Sequence, residues 1–298
     1  MKRVNHTILQ SAVRIAKSVK AKAIFLSLDP LDELPDEEPP KGCSLILVTS
    51  RKPDDLEGIF PDGIPASLPV IYLPKVDMTR MSQVKMAVVL GISLDLIEMG
   101  DRIVFVTGHP ELDMLDSILF LDTSKETEIL TTQGLSGIAE SVKPEVFQEM
   151  LAIALELANR GREGKPIGTI FVLGDEEKVL QLSKQMIINP FKGYSDEERN
   201  ILSGHLKETL REFSALDGAF VISRDGLVLT AGRYLGAASD EATIPRGLGS
   251  RHIAAAGITA MTEAIAIVIS ESNGDVRIFK NGKILMEIEK PIKVPAQS

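Results

Sequence analysis

The chain has one cysteine (Cys43) and no tryptophan, and aromatic residues make up only 4% of its 298 residues. A lone thiol excludes an internal disulfide and a cysteine-based metal cluster, so a reducing cytoplasm is expected. The apolar runs are far shorter than the ~20 residues of a membrane helix, and no such run follows the first residues as in a signal peptide. We therefore expect a soluble cytoplasmic protein without a membrane partner.

Basic charge is also scarce. Lysine and arginine number 33 against 42 acidic residues, which gives a formal net charge of -9, and the basic residues are scattered. Binding to nucleic acid usually needs a clustered basic face, so nucleic acid is not an expected partner. The chain has no phosphate loop, no complete Gly-x-Gly-x-x-Gly and no pair of histidines at ligand spacing. The sequence therefore carries no P-loop signature, and a zinc hydrolase is not expected.

The length and the pattern of apolar residues predict two α/β domains. Residues 1–125 alternate helix-like and strand-like segments, which predicts a helix at 6–20, a buried strand at 23–28 and a helix at 83–99. Residues 126–141 are polar and contain glycine, so they are predicted to be a linker. Residues 142–298 form the second predicted domain.

Helices and strands also alternate in the second predicted domain. The pattern predicts helices at 144–160, 176–186 and 195–213. Asp225-Gly226 and Asn281-Gly282 lie between strand-like segments and predict two hairpins, the second with a type I′ turn.

Two short stretches carry candidate chemistry. In the first, Asp217 is followed by Gly218 and Ala219 at the start of a buried strand. Small residues leave room for a ligand near the backbone, and a carboxylate there can hold a divalent cation or accept a proton from a hydroxyl. An ordinary Asp-Gly turn is the alternative.

The second stretch runs from Gly247 to Gly257 and predicts a helix that starts with Ser250 as its N-cap. The free N–H groups of a helix start bind anions, and Arg251 and His252 would strengthen such a site. An ordinary capped helix with a surface arginine is the alternative.

Together the two stretches resemble the Asp-Gly-Ala and Arg-His-Arg motifs of the diadenylate cyclase family. The resemblance covers about 150 residues and includes segments 160–175 and 267–271. Segment 100–108, Gly-Asp-Arg-Ile-Val-Phe-Val-Thr-Gly, resembles the C-terminal domain of pyruvate kinases. This pair of domains is similar to the archaeal branch of the family. It implies an N-terminal pyruvate-kinase-like α/β domain, followed by a cyclase domain with a central mixed sheet flanked by helices.

The resemblance also implies an activity: two ATP molecules are condensed to cyclic di-AMP and two pyrophosphates, with Mn²⁺ or Mg²⁺, in sites that meet face to face between two copies of the chain. Asp217 would bind the metal or take a proton from the 3′-hydroxyl, and Glu271 would be a further metal ligand. The residues expected at ATP by resemblance are Gly218, Ala219, Tyr234, Leu235, Gly249, Ser250, Arg251 and His252. Core packing is the alternative role for Leu235.

One position departs from the family pattern. Ile253 stands where the motif has its second arginine, and it cannot hold phosphate. Three explanations are open. Arg246 or Arg233 takes the place of the second motif arginine, that arginine is dispensable in this branch of the family, or turnover is impaired. This departure leaves two alternatives to the cyclase: a non-catalytic sensor of ATP or cyclic di-AMP, and an adenylyltransferase that uses another acceptor.

Overall fold

A computed structural model of the chain describes residues 2–34, 37–109, 112–125, 138–161, 165–236 and 248–290. It divides into two compact units, one of Met1–Lys75 with Arg80–Thr132 and one of Val76–Thr79 with Gln133–Ser298. Each unit contains one mixed sheet with helices packed on it, so the predicted α/β class is confirmed. The domain limits at residues 125 and 142 stay a prediction. Arg246 lies outside the described residues.

The first unit contains a five-stranded sheet of order β3-β2-β1-β4-β5, in which β5 alone is antiparallel to its neighbour. Strand β1 is buried along its whole length, as expected for a central parallel strand covered on both faces. The elements of the first unit are α1 (Lys2–Val19), β1 (Ala23–Ser27), β2 (Ser44–Thr49), a short 3-10 helix (Pro53–Leu56), β3 (Val70–Tyr72), α2 (Arg80–Ser93), β4 (Arg102–His109) and β5 (Met114–Asp122).

The two faces of this sheet have different partners. Ile24 and Leu26 lie in one apolar cluster with Ala12 of α1. Phe25 points the opposite way, stacks on Phe105 with ring centroids 5.6 Å apart, and lies against Gly91 of α2. Because side chains alternate along a strand, one continuous apolar run serves both helices.

The second unit contains a seven-stranded sheet of order β12-β11-β10-β6-β8-β9-β7. Strands β6 and β8 are parallel, and the other neighbours are antiparallel. Its elements are α3 (Ile138–Ser141), α4 (Pro144–Arg160), β6 (Thr169–Leu173), α5 (Glu176–Gln181), β7 (Ser183–Gln185), a short 3-10 helix (Ile201–Ser203), α6 (Lys207–Phe213), β8 (Ala219–Ile222), β9 (Val228–Leu235), α7 (Ser250–Met261), β10 (Ile265–Ile269), β11 (Val276–Lys280) and β12 (Lys283–Ile288).

Helix α7 packs on one face of this sheet. Its small residues Ala255 and Ala256 share an apolar cluster with Ile170 and Val172 of β6. Phe171 lies between these two β6 residues and therefore points to the other face. Alanines on α7 let the helix approach the sheet closely, and this close packing fixes where the first turn of α7 can lie.

Two predicted helices of the second domain are wrong in extent. The single helix expected at 195–213 is a series of turns, a 3-10 helix and α6, because Gly204 adopts a left-handed φ of 78° and interrupts it. The helix expected at 176–186 ends at Gln181, because 183–185 pair with 233–235 of β9 as an edge strand. The type I′ hairpin is confirmed, since Asn281 and Gly282 both have positive φ angles of 52° and 75°.

Candidate active site

Asp217 lies two residues before the interior strand β8, and its side chain is 94% exposed. Gly218 follows with a φ of 104°. A methyl group added at Gly218 would lie 2.7 Å from the main-chain nitrogen of Arg233 and 2.8 Å from Cε of Met186. The space expected there for a ligand is therefore filled by β9 and Met186, and Ala219 is fully buried. In this structure the small residues allow the turn that presents Asp217 to solvent.

Helix α7 presents its first turn near this aspartate. The helix begins at Ser250, and Gly249 is its N-cap, so the predicted Ser250 N-cap is wrong by one residue. Gly249 offers no side chain to cap the helix, and a methyl group added there would meet nothing within 4 Å. The first N–H groups of a helix lack partners within the helix, so this turn can accept an anion.

Arg251 brings the two motifs together. Its Nη1 donates to Oε2 of Glu271 at 2.8 Å, and its Nη2 lies 3.8 Å from Oδ1 of Asp217. The side chain of Glu271 is 64% exposed. One guanidinium is therefore shared by two carboxylates that come from separate turns of the chain. The two sequence motifs meet at a single charged cluster.

Gly168 is a site residue to which the sequence motifs assign no role. A methyl group added there would lie 2.7 Å from Nη1 of Arg251 and 2.8 Å from Cβ of Glu271. Its φ is not in the left-handed region, so the close approach, rather than the backbone conformation, requires glycine. The Arg251–Glu271 pair packs directly over the missing side chain.

His252 is placed differently from the expected phosphate contact. It is only 5% exposed, and its Nε2 lies 3.1 Å from Nη1 of Arg277. Burial, reinforced by the charges of Arg277 and Arg251, lowers the pKa of His252 from 6.5 to about 4. The imidazole is therefore neutral near pH 7, which removes the positive charge that a phosphate would attract. Helix geometry explains the placement, because adjacent helical residues point about 100° apart.

Strand β9 carries the residues expected near adenine. Tyr234 is 60% exposed and Leu235 is 5% exposed, so the tyrosine ring is open to solvent while the leucine packs in the core. Arg233, one of the alternatives to the missing motif arginine, donates instead to Oγ of Ser183 and to the main-chain oxygens of Leu180 and Ser183. Its guanidinium therefore connects β9 to α5 and to the edge strand β7.

A divalent cation has two carboxylates available here. Among the described residues, no group of three or more His, Cys, Asp or Glu side chains is close enough together to hold a metal ion. Mg²⁺ in phosphate-transferring sites is typically bound by one or two carboxylates, with phosphate oxygens and water supplying the other ligands. The exposed oxygens of Asp217 and Glu271 fit this donor set. Both currently contact Arg251.

Comparison with known proteins identifies the family. The nucleotide-binding family of the DisA bacterial checkpoint controller matches residues 156–284, and a family described as the probable sensor domain DacZ_P matches residues 5–131. A diadenylate cyclase from Methanocaldococcus jannaschii is 36% identical over 220 residues, which are 74% of this chain and 70% of that protein. The chain belongs to the diadenylate cyclase family.

The chain is also similar to a second diadenylate cyclase and to a pyruvate kinase of known structure. A diadenylate cyclase from Haloferax volcanii is 43% identical over 148 residues, covering 49% of this chain and 53% of that protein. The crystal structure of a pyruvate kinase from Cryptosporidium parvum matches at 21% identity with a TM-score of 0.30, over 40% of this chain and 23% of that one.

In the part of this cyclase that the structure describes, no helix combines the length and apolar character needed to cross a membrane.

Proposed function

We propose that this diadenylate cyclase condenses two ATP molecules to cyclic di-AMP and two pyrophosphates, with one ATP on each of two copies that face each other. The observation that carries the proposal is the contact of Arg251 with both Asp217 and Glu271. It joins a cation suited to phosphate with two carboxylates suited to a divalent metal or to a hydroxyl proton. Family membership supports the same reaction.

The phosphates would lie at the first turn of α7. The N–H groups there, the hydroxyl of the exposed Ser250 and the guanidinium of Arg251 are the donors that would hold them, and Gly249 beside them adds no side chain. Such fixed donors stabilise the charge that develops on phosphate oxygens during transfer. The adenine would lie near Tyr234 and Leu235, where the exposed ring of Tyr234 can stack on a base.

The reaction forms a bond between the 3′-oxygen of one nucleotide and the α-phosphorus of the other. The bond from that phosphorus to pyrophosphate breaks, and the 3′-hydroxyl loses its proton. Asp217 would accept that proton or bind the cation; its exposed carboxylate permits either role. Gly218 and Ala219 would contribute through the backbone that presents Asp217. A bound Mg²⁺ or Mn²⁺, held by Asp217 and Glu271, would neutralise negative charge on the phosphates.

Two copies are needed because the product is a ring with two linkages, and each linkage joins the 3′-oxygen of one nucleotide to the α-phosphorus of the other. Within the described residues, the first turn of α7 next to Asp217 is the one triphosphate site that we propose for each chain. A second copy that faces the first would bring its own α-phosphorus to the 3′-hydroxyl, which converts an encounter in solution into a positioned reaction. The rate should therefore rise faster than linearly with protein concentration near the dissociation range.

The test is to incubate the purified chain with ATP and Mn²⁺ or Mg²⁺ and to identify the nucleotides by mass spectrometry. Cyclic di-AMP and pyrophosphate in a 1:2 ratio are expected. Unchanged ATP would favour a nucleotide sensor, and AMP on another acceptor would favour an adenylyltransferase. A linear concentration dependence from a proven monomer would contradict the face-to-face arrangement.

Asp217→Asn should bind ATP but make little product, because its carboxylate is almost fully exposed and supports no packing. The matched control is Asp225→Asn, in the other Asp-Gly pair, whose carboxylate contacts Lys143 on the surface. The control should retain full synthesis. Full synthesis by Asp217→Asn would remove this residue from the proposed chemistry.

A further inference from the structure

A buried ionic cluster lies directly behind the first turn of α7. Its centre is Arg277 on β11, which is 8% exposed. Its Nη2 lies 3.4 Å from Oδ2 of Asp275 and also contacts the carboxylate of Glu287 on β12. Its Nη1 points instead to His252, at 3.1 Å from Nε2. Two carboxylates thus balance the guanidinium charge, and one N–H group remains directed at the helix.

The chemistry of this pair fixes the state of the imidazole. Arginine only donates hydrogen bonds, so Nε2 of His252 must accept and the ring proton must lie on Nδ1. Nδ1 is itself buried and has no hydrogen-bond partner among the described residues. The ring of Phe279 lies beside it, with centroids 6.1 Å apart. His252 is therefore a neutral acceptor packed against Arg277 and Phe279 of β11.

We propose that Arg277 is a positioning residue for diadenylate cyclase activity: its hydrogen bond to His252 holds the first turn of α7 at the depth where Arg251 reaches Asp217 and Glu271. The N-cap Gly249 supplies no side-chain hydrogen bond, so the turn depends on contacts further along the helix. Arg251 immediately precedes His252, and a shift of the histidine moves the base of the arginine side chain. This inference rests on the proposed function only for its kinetic readout.

The first experiment measures kcat/KM for ATP. Arg277→Met should lower it about 10- to 100-fold, the usual effect of misplacing a group by about 1 Å. In an Arg251→Met background the same change should cost less than about twofold, because the arginine through which it acts is gone. A purely structural role predicts equal losses in both backgrounds, and that result would overturn the proposal. So would an unchanged kcat/KM in a folded Arg277→Met protein.

The second experiment compares two changes at His252. His252→Gln places an amide oxygen near the position of Nε2 and keeps an acceptor for Arg277, whereas His252→Leu does not. We expect the glutamine variant to retain most of kcat/KM and the leucine variant to match Arg277→Met. Equal loss in both variants would contradict the positioning role.

The third experiment measures the tautomer of His252 in the wild-type chain, so it needs neither turnover nor a folded variant. Long-range ¹H–¹⁵N spectra of the histidine-labelled wild-type chain at pH 7 should show a neutral His252 protonated at Nδ1. A ring protonated at Nε2, or at both nitrogens, would overturn the proposal.

If the wild type made no cyclic di-AMP, the proposed function would fail. The positioning role of Arg277 would still be tested by this tautomer and by amide hydrogen exchange in the first turn of α7. Faster exchange there in Arg277→Met is expected, and unchanged exchange would contradict the proposal.

Discussion

Replacing Gly168 with alanine tests the charged cluster most directly, because the substitution adds one methyl group and changes no charge. That methyl group would lie 2.7 Å from Nη1 of Arg251 and 2.8 Å from Cβ of Glu271. Ordinary contact begins near 3.4 Å, so Nη1 must move by about 0.7 Å. The end of an arginine side chain can move in this way, whereas Cβ of Glu271 can move only together with its backbone.

The expected effect on activity is large, and a moderate loss of stability accompanies it. Displacing Arg251 weakens a charge-assisted hydrogen bond to phosphate, and such bonds contribute about 1.5–3 kcal/mol. Each 1.4 kcal/mol is a factor of ten, so kcat/KM should fall about 10- to 100-fold. The Arg251–Glu271 pair is partly exposed, and pairs of that kind add at most about 1 kcal/mol to stability. The overlap with Cβ of Glu271 forces a backbone shift, and such overpacking costs about 1–3 kcal/mol in urea unfolding.

The assay is cyclic di-AMP synthesis at several ATP concentrations, together with urea unfolding. The matched control is Gly58→Ala, because a methyl group added at Gly58 would meet nothing within 4 Å and its φ is not left-handed. The control should change neither quantity. If Gly168→Ala had full kcat/KM, Arg251 would not act from the position seen here, and the inferred geometry of the phosphate site would be refuted.

Two further predictions concern stability. Gly218→Ala should destabilise the chain by about 1–3 kcal/mol in urea unfolding, because it combines left-handed backbone strain with an overlap on the β9 backbone. The control is Gly193→Ala, which has a φ of 97° but open space around the added methyl group, so its loss of stability should be clearly smaller. Equal losses in the two variants would refute the overlap. The pKa of His252 is about 4 in the folded chain, against 6.5 for an unperturbed histidine, so the unfolded chain gains this proton first as the pH falls. The stabilisation from neutral His252 should be complete above pH 6.5, be lost between pH 6.5 and 4, and amount to about 3 kcal/mol. In His252→Gln, the free energy of unfolding in urea should therefore depend less on pH over this range. An unchanged pH dependence would contradict the low pKa.

The fold class was predictable from the sequence because buried strands leave a visible pattern. Strands β6 and β10 are buried at every residue, and they contain the uninterrupted apolar runs 170–173 and 265–269. The helix expected at 195–213 was not predictable in its true form. Its apolar spacing is compatible with a helix, but the left-handed Gly204 and the pairing of Asn200 with Leu227 take the chain elsewhere.

The role of Arg277 at the site was also not predictable from the sequence. It is a charged residue between apolar neighbours in a short strand, a pattern typical of a solvent-facing position, yet the neighbouring strand and helix enclose it. Gly168 looks like any glycine before a strand. Neither residue carried a signal of its own, because its importance depends on side chains that come from distant parts of the sequence.

The order of residues alone therefore determined two α/β units and the two short motifs that carry Asp217 and Arg251. Apolar periodicity and local residue chemistry are properties of neighbours in sequence, so they can be read without a structure. Only the tertiary structure decided that Arg251 points to two carboxylates while the adjacent His252 points into the core. That division depends on how α7 is rotated against the sheet, and the packing of its alanines on β6 sets this rotation.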